Sequence, residues 1–223
     1  MGDQPRVSAI VPAYNEEKTI AGVIETLKMS PLIDEIIVVS DGSTDGTHEI
    51  ALKAGVKALE LPTKKGKGAA MLHGLAHTKA NIVMFFDADL KGLRVDHIQR
   101  LVMPVLSGSR VMTAGIRDRG LLMSSLSKRF LPLIGGERAM ARRVIEGMKP
   151  EFVQGFMIES AMNYHCRING WSYGGVFLPG LHIIHKYEKV GYQKGLIEYL
   201  KMTREIIKAM VWVRVAHLLK KFP

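Results

Sequence analysis

Residues 82–90 read Ile-Val-Met-Phe-Phe-Asp-Ala-Asp-Leu: five apolar residues that break off into Asp87-Ala88-Asp89. A short apolar run with polar residues at both ends is the pattern of a strand buried on both faces. The two carboxylates at i and i+2 repel unless a cation lies between them or one holds a proton, and oxygen ligands suit Mg2+ or Mn2+. Taken singly, either Asp serves equally well as a cap for the segment that follows.

The same punctuation recurs outward from this run. Val7–Val11 ends at Pro12, and Ile36–Val39 ends at Ser40-Asp41-Gly42-Ser43, while Lys57–Leu61 and Arg110–Ala114 are weaker strand patterns. Helical patterns over Glu17–Met29, Asp45–Ala54, Gly68–Thr78 and Val95–Leu106 lie between them. Strands alternating with helices of this length predict right-handed βαβ units, hence a Rossmann-like α/β fold with a mostly parallel sheet flanked by helices. Asn15 is expected to cap the first helix, and Ser43 or Thr44 the second.

From Gly115 the alternation stops. Gly115–Gly136 reads as a connection, Glu137–Met148 and Phe152–Asn169 as helices, Tyr173–His185 as extended, and Gly195–Lys221 as a long basic amphipathic helix. The expected division is one domain over residues 1–193 followed by a helical extension over 194–223.

In a parallel α/β sheet, ligands bind beyond the carboxyl ends of the strands. Four loops fall at such ends: Pro12-Ala13-Tyr14-Asn15-Glu16, Asp41-Gly42-Ser43, Lys64-Lys65-Gly66-Lys67-Gly68, and Asp87-Ala88-Asp89. A Lys between glycines at a helix start can reach a phosphate with help from backbone N–H groups, although this loop lacks the P-loop spacing. The chain has no G-x-G-x-x-G fingerprint, which argues against NAD or FAD.

Composition bounds the partners. The 223 residues include 31 Lys+Arg and 21 Asp+Glu, a formal charge of +10, with 47% hydrophobic residues. Such a charge admits nucleic acid, an anionic membrane or phosphorylated substrates. Nucleic-acid binding has no supporting zinc-finger spacing or aromatic-rich basic strand. The single Cys166 excludes an intramolecular disulfide, reads as a small buried hydrophobe, and makes a reducing, cytoplasmic compartment the expectation. The N-terminal apolar run is too short for a signal peptide, and Ile206–Leu219 is interrupted by Lys208, Arg214 and His217, too short to span a bilayer. Residues 186–223 carry nine Lys+Arg and three Glu. An amphipathic helix there can lie peripherally on an inner membrane face, pack on its own domain, or join a second subunit as a homodimer.

Taken together, SAIVPAYNEEKTI, EIIVVSDGSTDGT, KGKGAA and VMFFDADL resemble the nucleotide-sugar-binding half of family 2-like glycosyltransferases with the GT-A fold, over about residues 6–115. The resemblance implies a UDP- or GDP-linked sugar donor. Pro12, Ala13, Tyr14 and Glu16 would border the nucleoside, Asp41 would bond the base, and Lys67 would approach the base or phosphates. Asp87, Ala88 and Asp89 would line the ribose and the metal-bound diphosphate, with Asp89 as the catalytic metal ligand for Mg2+ or Mn2+. Ser40 stands where many such proteins carry a second Asp.

The second half, GGERAMARRVIEGM and QGFMIESAMNYHCRINGWSYGGVFLPGLHIIH, is similar to the acceptor half (about 116–193) of glucosyl-3-phosphoglycerate synthase-like and polyprenyl-phosphate sugar transferases. By that resemblance Glu159 is catalytic and a His completes the metal site, His182 being the better match and His185 its rival. Arg117, Arg119, Lys128, Arg129, Arg138, Arg142 and Arg143 form a basic stretch suited to a phosphate or carboxylate on the acceptor. An inverting transfer needs a carboxylate base, for which Glu137 and Glu159 are the acids at hand, whereas a front-face retaining transfer needs none. The expected activity is metal-dependent hexosyl transfer to an anionic acceptor, with a polyprenyl phosphate acceptor or a non-catalytic nucleotide-sugar-binding role as alternatives.

Overall fold

The fold is taken from a computed structural model that describes residues 5–117, 135–146, 148–152, 157–183, 204, 208 and 210–220. Strands β1 (Val7–Ala13), β2 (Glu35–Asp41), β3 (Lys57–Leu61) and β4 (Ile82–Phe85) alternate with helices α1 (Ile20–Lys28), α2 (Thr47–Lys53) and α3 (Lys67–Ala76). Then come β5 (Leu90–Lys91), α4 (Val95–Leu106), β6 (Met112–Arg117), β7 (Arg138–Ala141), α5 (Met157–Ile168), β8 (Tyr173–Leu178) and β9 (His182–Ile183). Seven strands form one sheet in the order β3-β2-β1-β4-β7-β6-β8, and β5 pairs with β9 in a second, two-stranded sheet. All neighbours in the large sheet are parallel except β7, which runs against both β4 and β6.

Period-two alternation divides the sheet's side chains between two cores. Ile10, Ile37, Val39, Val83, Phe85, Met112 and Met140 face one side, where Met71 of α3 and Ile158, Ala161 and Met162 of α5 cover them. Ala9, Val11, Val38, Met84 and Ala139 face the other, under Ile20, Val23, Ile24 and Leu27 of α1 and Ile98, Leu101 and Val102 of α4. This sandwich of helices on both faces is what the near-continuous apolar strands require. Pro12 is tolerated in a central strand because β1 pairs with β4 only from Val7 to Ile10, beyond which Pro12 faces β2 alone.

Three local expectations are corrected. Glu137–Met148 is not a helix: Arg138–Ala141 is β7, followed by a 3-10 turn over Arg142–Val144. Its residues are good helix formers, but the ladder partners on β4 and β6 override a propensity worth only tenths of a kcal/mol per residue. Asn15 does not cap α1, whose N-cap position is Thr19, four residues later; Asn15 sits at φ 54° and its Oδ1 accepts from Thr44 N at 2.9 Å. Ser43 and Thr44 do not cap α2 either, since Ser43 Oγ accepts from Asn15 N and Asp45 takes the Thr47 amide. These side chains tie the first two loops to each other. Tyr173–His185 is two strands rather than one, broken by the turn at Pro179-Gly180, and His185 lies outside the described residues.

Of the C-terminal helix, residues 210–218 are described in continuity. Val213 and Ala216 are buried in the core that holds Ile158 and Cys166, so the helix packs on the domain. Cys166 is fully buried, and burial pushes its thiol up to about 12. Among the described residues no helix is long and apolar enough to cross a membrane.

Candidate active site

Several chain segments meet at the carboxyl edge of β1, β2, β4 and β6. Tyr14 follows β1, Asp41 ends β2, Asp87 follows β4, Arg117 ends β6, Lys67 opens α3, and Glu137 immediately precedes the antiparallel β7.

Asp41 is buried, and its carboxylate accepts the amides of Lys65 at 2.7 Å and Gly66 at 2.8 Å. The loop leading to Lys67 is thus held by a charge-assisted pair of hydrogen bonds. Gly42 (φ +67°) permits the same approach, because a Cβ there would meet Lys64 N at 2.6 Å. Lys64 Nζ in turn stands 3.6 Å from the Tyr14 ring centroid, joining the first and third loops by a cation–π contact. Glu16 is held by its amide to Thr47 Oγ1 and by Thr19 Oγ1 donating to its carboxylate. Pro12 and Ala13 are buried within β1, which leaves Tyr14 as the first exposed side chain beyond the strand.

The centre is a cluster of alternating charges. Lys67 Nζ lies 2.6 Å from Asp87 Oδ1 and 3.4 Å from Glu159 Oε1. Arg117 Nη2 lies 2.7 Å from Asp87 Oδ2 and 2.5 Å from Glu137 Oε1, with Nε 2.8 Å from Glu137 Oε2. Burial alone would raise the Asp87 pKa, but Lys67 and Arg117 outweigh it and bring it down to about 2. Burial likewise works against the Lys67 charge, and Asp87 and Glu159 overcome it, holding the ammonium well above its ordinary range. Glu137 goes the other way: its burial and the nearby Asp87 carboxylate raise it despite Arg117. Gly136 makes the cluster possible, because a Cβ at that position would overlap both carboxylate oxygens of Asp87.

Lys91 pairs with His182 across β5 and β9, and Asp89 lies in the turn just before β5, so the small sheet brings the segment carrying Asp89 alongside the one carrying His182. The turn before β9 is clamped: Arg94 Nη1 donates to Pro179 O at 3.1 Å, and buried His97 contacts the same oxygen through Nε2 at 3.0 Å. Arg94 N donates to His97 Nδ1, which places the ring proton on Nε2, and burial lowers the pKa of that imidazole. Among the described residues no three His, Cys, Asp or Glu side chains stand together as a complete metal cage.

Among the described residues, the basic side chains of the stretch after β6 do not gather at one point. Arg138 is fully buried and donates to Gly135 O and Asn163 Oδ1. Arg142 binds Thr78 O and Leu75 O just after and at the end of α3, and Arg143 lies over Trp171. Arg119, Lys128 and Arg129 fall outside the described residues. Sequence reasoning missed the pairing of Arg117 with Asp87 and Glu137 and the His97 clamp; the one sign of the latter was a His in phase with the apolar face formed by Ile98, Leu101, Val102 and Val105.

Residues 8–156 match the sequence signature of glycosyl transferase family 2, and the chain belongs to that family. Within it, the chain is 32% identical over 157 residues to glucosyl-3-phosphoglycerate synthase of Mycobacterium tuberculosis, a match covering 65% of this chain and 48% of that protein. It is also 32% identical over 101 residues to 4,4'-diaponeurosporenoate glycosyltransferase of Staphylococcus aureus, covering 43% and 27% of the two chains. The chain thus spans about half the length of the curated relatives it matches first. A crystal structure of the M. tuberculosis synthase with Mn2+, UDP-glucose and phosphoglyceric acid superposes with a TM-score of 0.76 at 26% identity, covering 94% of this chain and 79% of that one. Another, with Mg2+ and UDP, gives the same TM-score.

Proposed function

We propose that the chain transfers glucose from UDP-glucose to a phosphorylated three-carbon acid of the phosphoglycerate type, with retention at the anomeric carbon. The observation that carries this reading is the Lys67 ammonium bridging Asp87 of the nucleotide half and Glu159 of the second half. Likeness to the M. tuberculosis synthase bound to UDP-glucose and phosphoglyceric acid supports the donor and acceptor classes.

In this reading Pro12, Ala13, Tyr14, Glu16 and Asp41 border the nucleoside, and Asp87 with Ala88 seats the ribose. Asp89, in the turn before β5, and His182 of β9 would supply one carboxylate and one imidazole, a set that suits Mg2+ or Mn2+ when diphosphate oxygens complete the shell. The ion, when bound, stabilises charge on the departing nucleoside diphosphate. Lys67, already fixed by two carboxylates, stands as a cation at the mouth of the loop where that charge develops. Glu137 is fully buried and forked by Arg117, and Glu159 is buried beside Lys67, so neither stands open as a base for an acceptor hydroxyl. That arrangement favours front-face retention, with Glu159 orienting sugar or acceptor hydroxyls.

The test incubates the protein with UDP-glucose, Mn2+ and 3-phosphoglycerate, and follows the product's anomeric proton by NMR. An α-linked product, lost in Asp89→Ala and on chelation, supports the reading; a β-linked product overturns retention. His182→Ala and His185→Ala, titrated with Mn2+, decide which imidazole binds the ion.

A second reading, a polyprenyl phosphate acceptor at a membrane surface, draws on the C-terminal helix. Val211, Trp212, Val215, Leu218 and Leu219 are exposed on the side away from Val213 and Ala216, next to Lys208 and Arg214. Sedimentation with anionic liposomes that depends on Trp212 supports it.

A further inference from the structure

Away from the charged cluster, a cleft of about 90 Å³ separates α5 from the C-terminal helix, lined by Ser160, Asn163, Tyr164, Arg167, Tyr173, Met210, Val213 and Arg214. Its polar residues have a consistent sign. Arg167 comes from α5 and Arg214 from the C-terminal helix, and no acidic residue lines the cleft among the described residues. Neither guanidinium makes an ion pair among the described residues. Ser160 is 6% exposed and its Oγ is buried with no hydrogen-bond partner, an unfavourable state for a polar atom unless a ligand supplies one.

Ser160, Asn163, Tyr164 and Arg167 stand at i, i+3, i+4 and i+7, so one face of α5 presents them all to the cleft. Tyr173 opens β8 beside Met112, at the end of β6 away from Arg117, which places the cleft on the opposite side of the sheet's run from the donor loops. Two like charges on facing helices repel, and the unsatisfied Ser160 hydroxyl lines the same cleft. A tetrahedral oxyanion answers both, because guanidinium forks and a hydroxyl are the donors that phosphate oxygens accept. Met210 and Val213 form an apolar wall suited to the carbon portion of an ester.

The geometry points to a second anion site, for the phosphate of a small phosphomonoester, in which Arg167, Arg214 and the Ser160 hydroxyl hold the ligand and pin the C-terminal helix to α5. The site is independent of the transferase reading, and a binding experiment addresses it without turnover.

The probe is inorganic phosphate, titrated calorimetrically into the full chain against a chloride control of equal ionic strength. Because Lys67 offers a competing phosphate site, the titration is run in both the wild type and Lys67→Ala. Saturable binding that persists in Lys67→Ala and weakens at least tenfold in Arg167→Gln, Arg214→Gln and Ser160→Ala is the expected result. Both arginines are exposed, so their variants fold, and melting curves without phosphate verify this. Binding that disappears in Lys67→Ala and is indifferent to Arg167 and Arg214 assigns phosphate to the donor loops and overturns the site. Absence of saturable binding in every form overturns it equally.

Discussion

Lys67 Nζ and Asp87 Oδ1 are 2.6 Å apart, the shortest link between the helix that starts at the donor loop and the carboxylate that ends the central strand. The contact is charge-assisted, partly buried, and shared with Glu159 at 3.4 Å, so three segments distant in sequence depend on one ammonium. On the proposed reading, removing it takes away a fixed cation at the point where the leaving diphosphate would gather charge. Lys67→Ala is expected to lower kcat by about 100-fold or more, with far-UV dichroism unchanged. Turnover within a few-fold of wild type would show that Lys67 only shapes the loop.

Asp87 predicts a pH signature. Its folded-state pKa is depressed from 3.8 to about 2, so its contribution is present above the unfolded value near 3.8 and is lost as pH falls towards 2. The contribution at neutral pH is on the order of 2 kcal/mol. Urea unfolding of wild type and Asp87→Asn from pH 7 to pH 2 measures it. The difference between the two proteins stays level down to about pH 4, then closes. A difference that persists at pH 2 contradicts the ion-pair origin.

Arg117 neutralises Glu137, which is fully buried. Arg117→Met leaves that carboxylate without its partner and is expected to cost about 3–5 kcal/mol by urea denaturation. The double variant Arg117→Met/Glu137→Gln recovers a large part of the loss, since no uncompensated charge remains. Equal destabilisation of single and double variants would mean that Arg117 acts through packing alone.

Gly136→Ala tests the close approach of β7 to Asp87. The added methyl overlaps both carboxylate oxygens, so either Asp87 or the strand shifts. A displacement of this kind costs about 100-fold in turnover while the core below stays packed, and UDP binding by calorimetry weakens with it. Wild-type affinity in this variant would remove Asp87 from the donor site.

Much of the donor half was legible because its signals are local. Val7–Val11, Ile36–Val39 and Ile82–Phe86 are β-branched or apolar runs cut by turn residues, and they are β1, β2 and β4. The four loops that follow, or return to, this edge follow from the rule for parallel sheets. What failed depends on contacts across the chain. Arg138–Ala141 has helical propensity and becomes a strand only because β4 and β6 leave a gap that it fills. Asn15, Ser43 and Thr44 have the residue types of helix caps, whereas their partners lie in one another's loops, 28 or 29 positions away. Arg117 read as one of several cations for an acceptor; its pairing with Asp87 and Glu137 exists only once β6, β4 and β7 lie side by side.

The most direct test of the central claim is product analysis by mass spectrometry after incubation with UDP-glucose, Mn2+ and 3-phosphoglycerate. The account predicts a glucosylated phosphoglycerate formed in step with UDP, absent without Mn2+ and reduced about 100-fold in Lys67→Ala. Formation of neither product nor UDP above background, under conditions where the protein is folded and binds UDP, would contradict it.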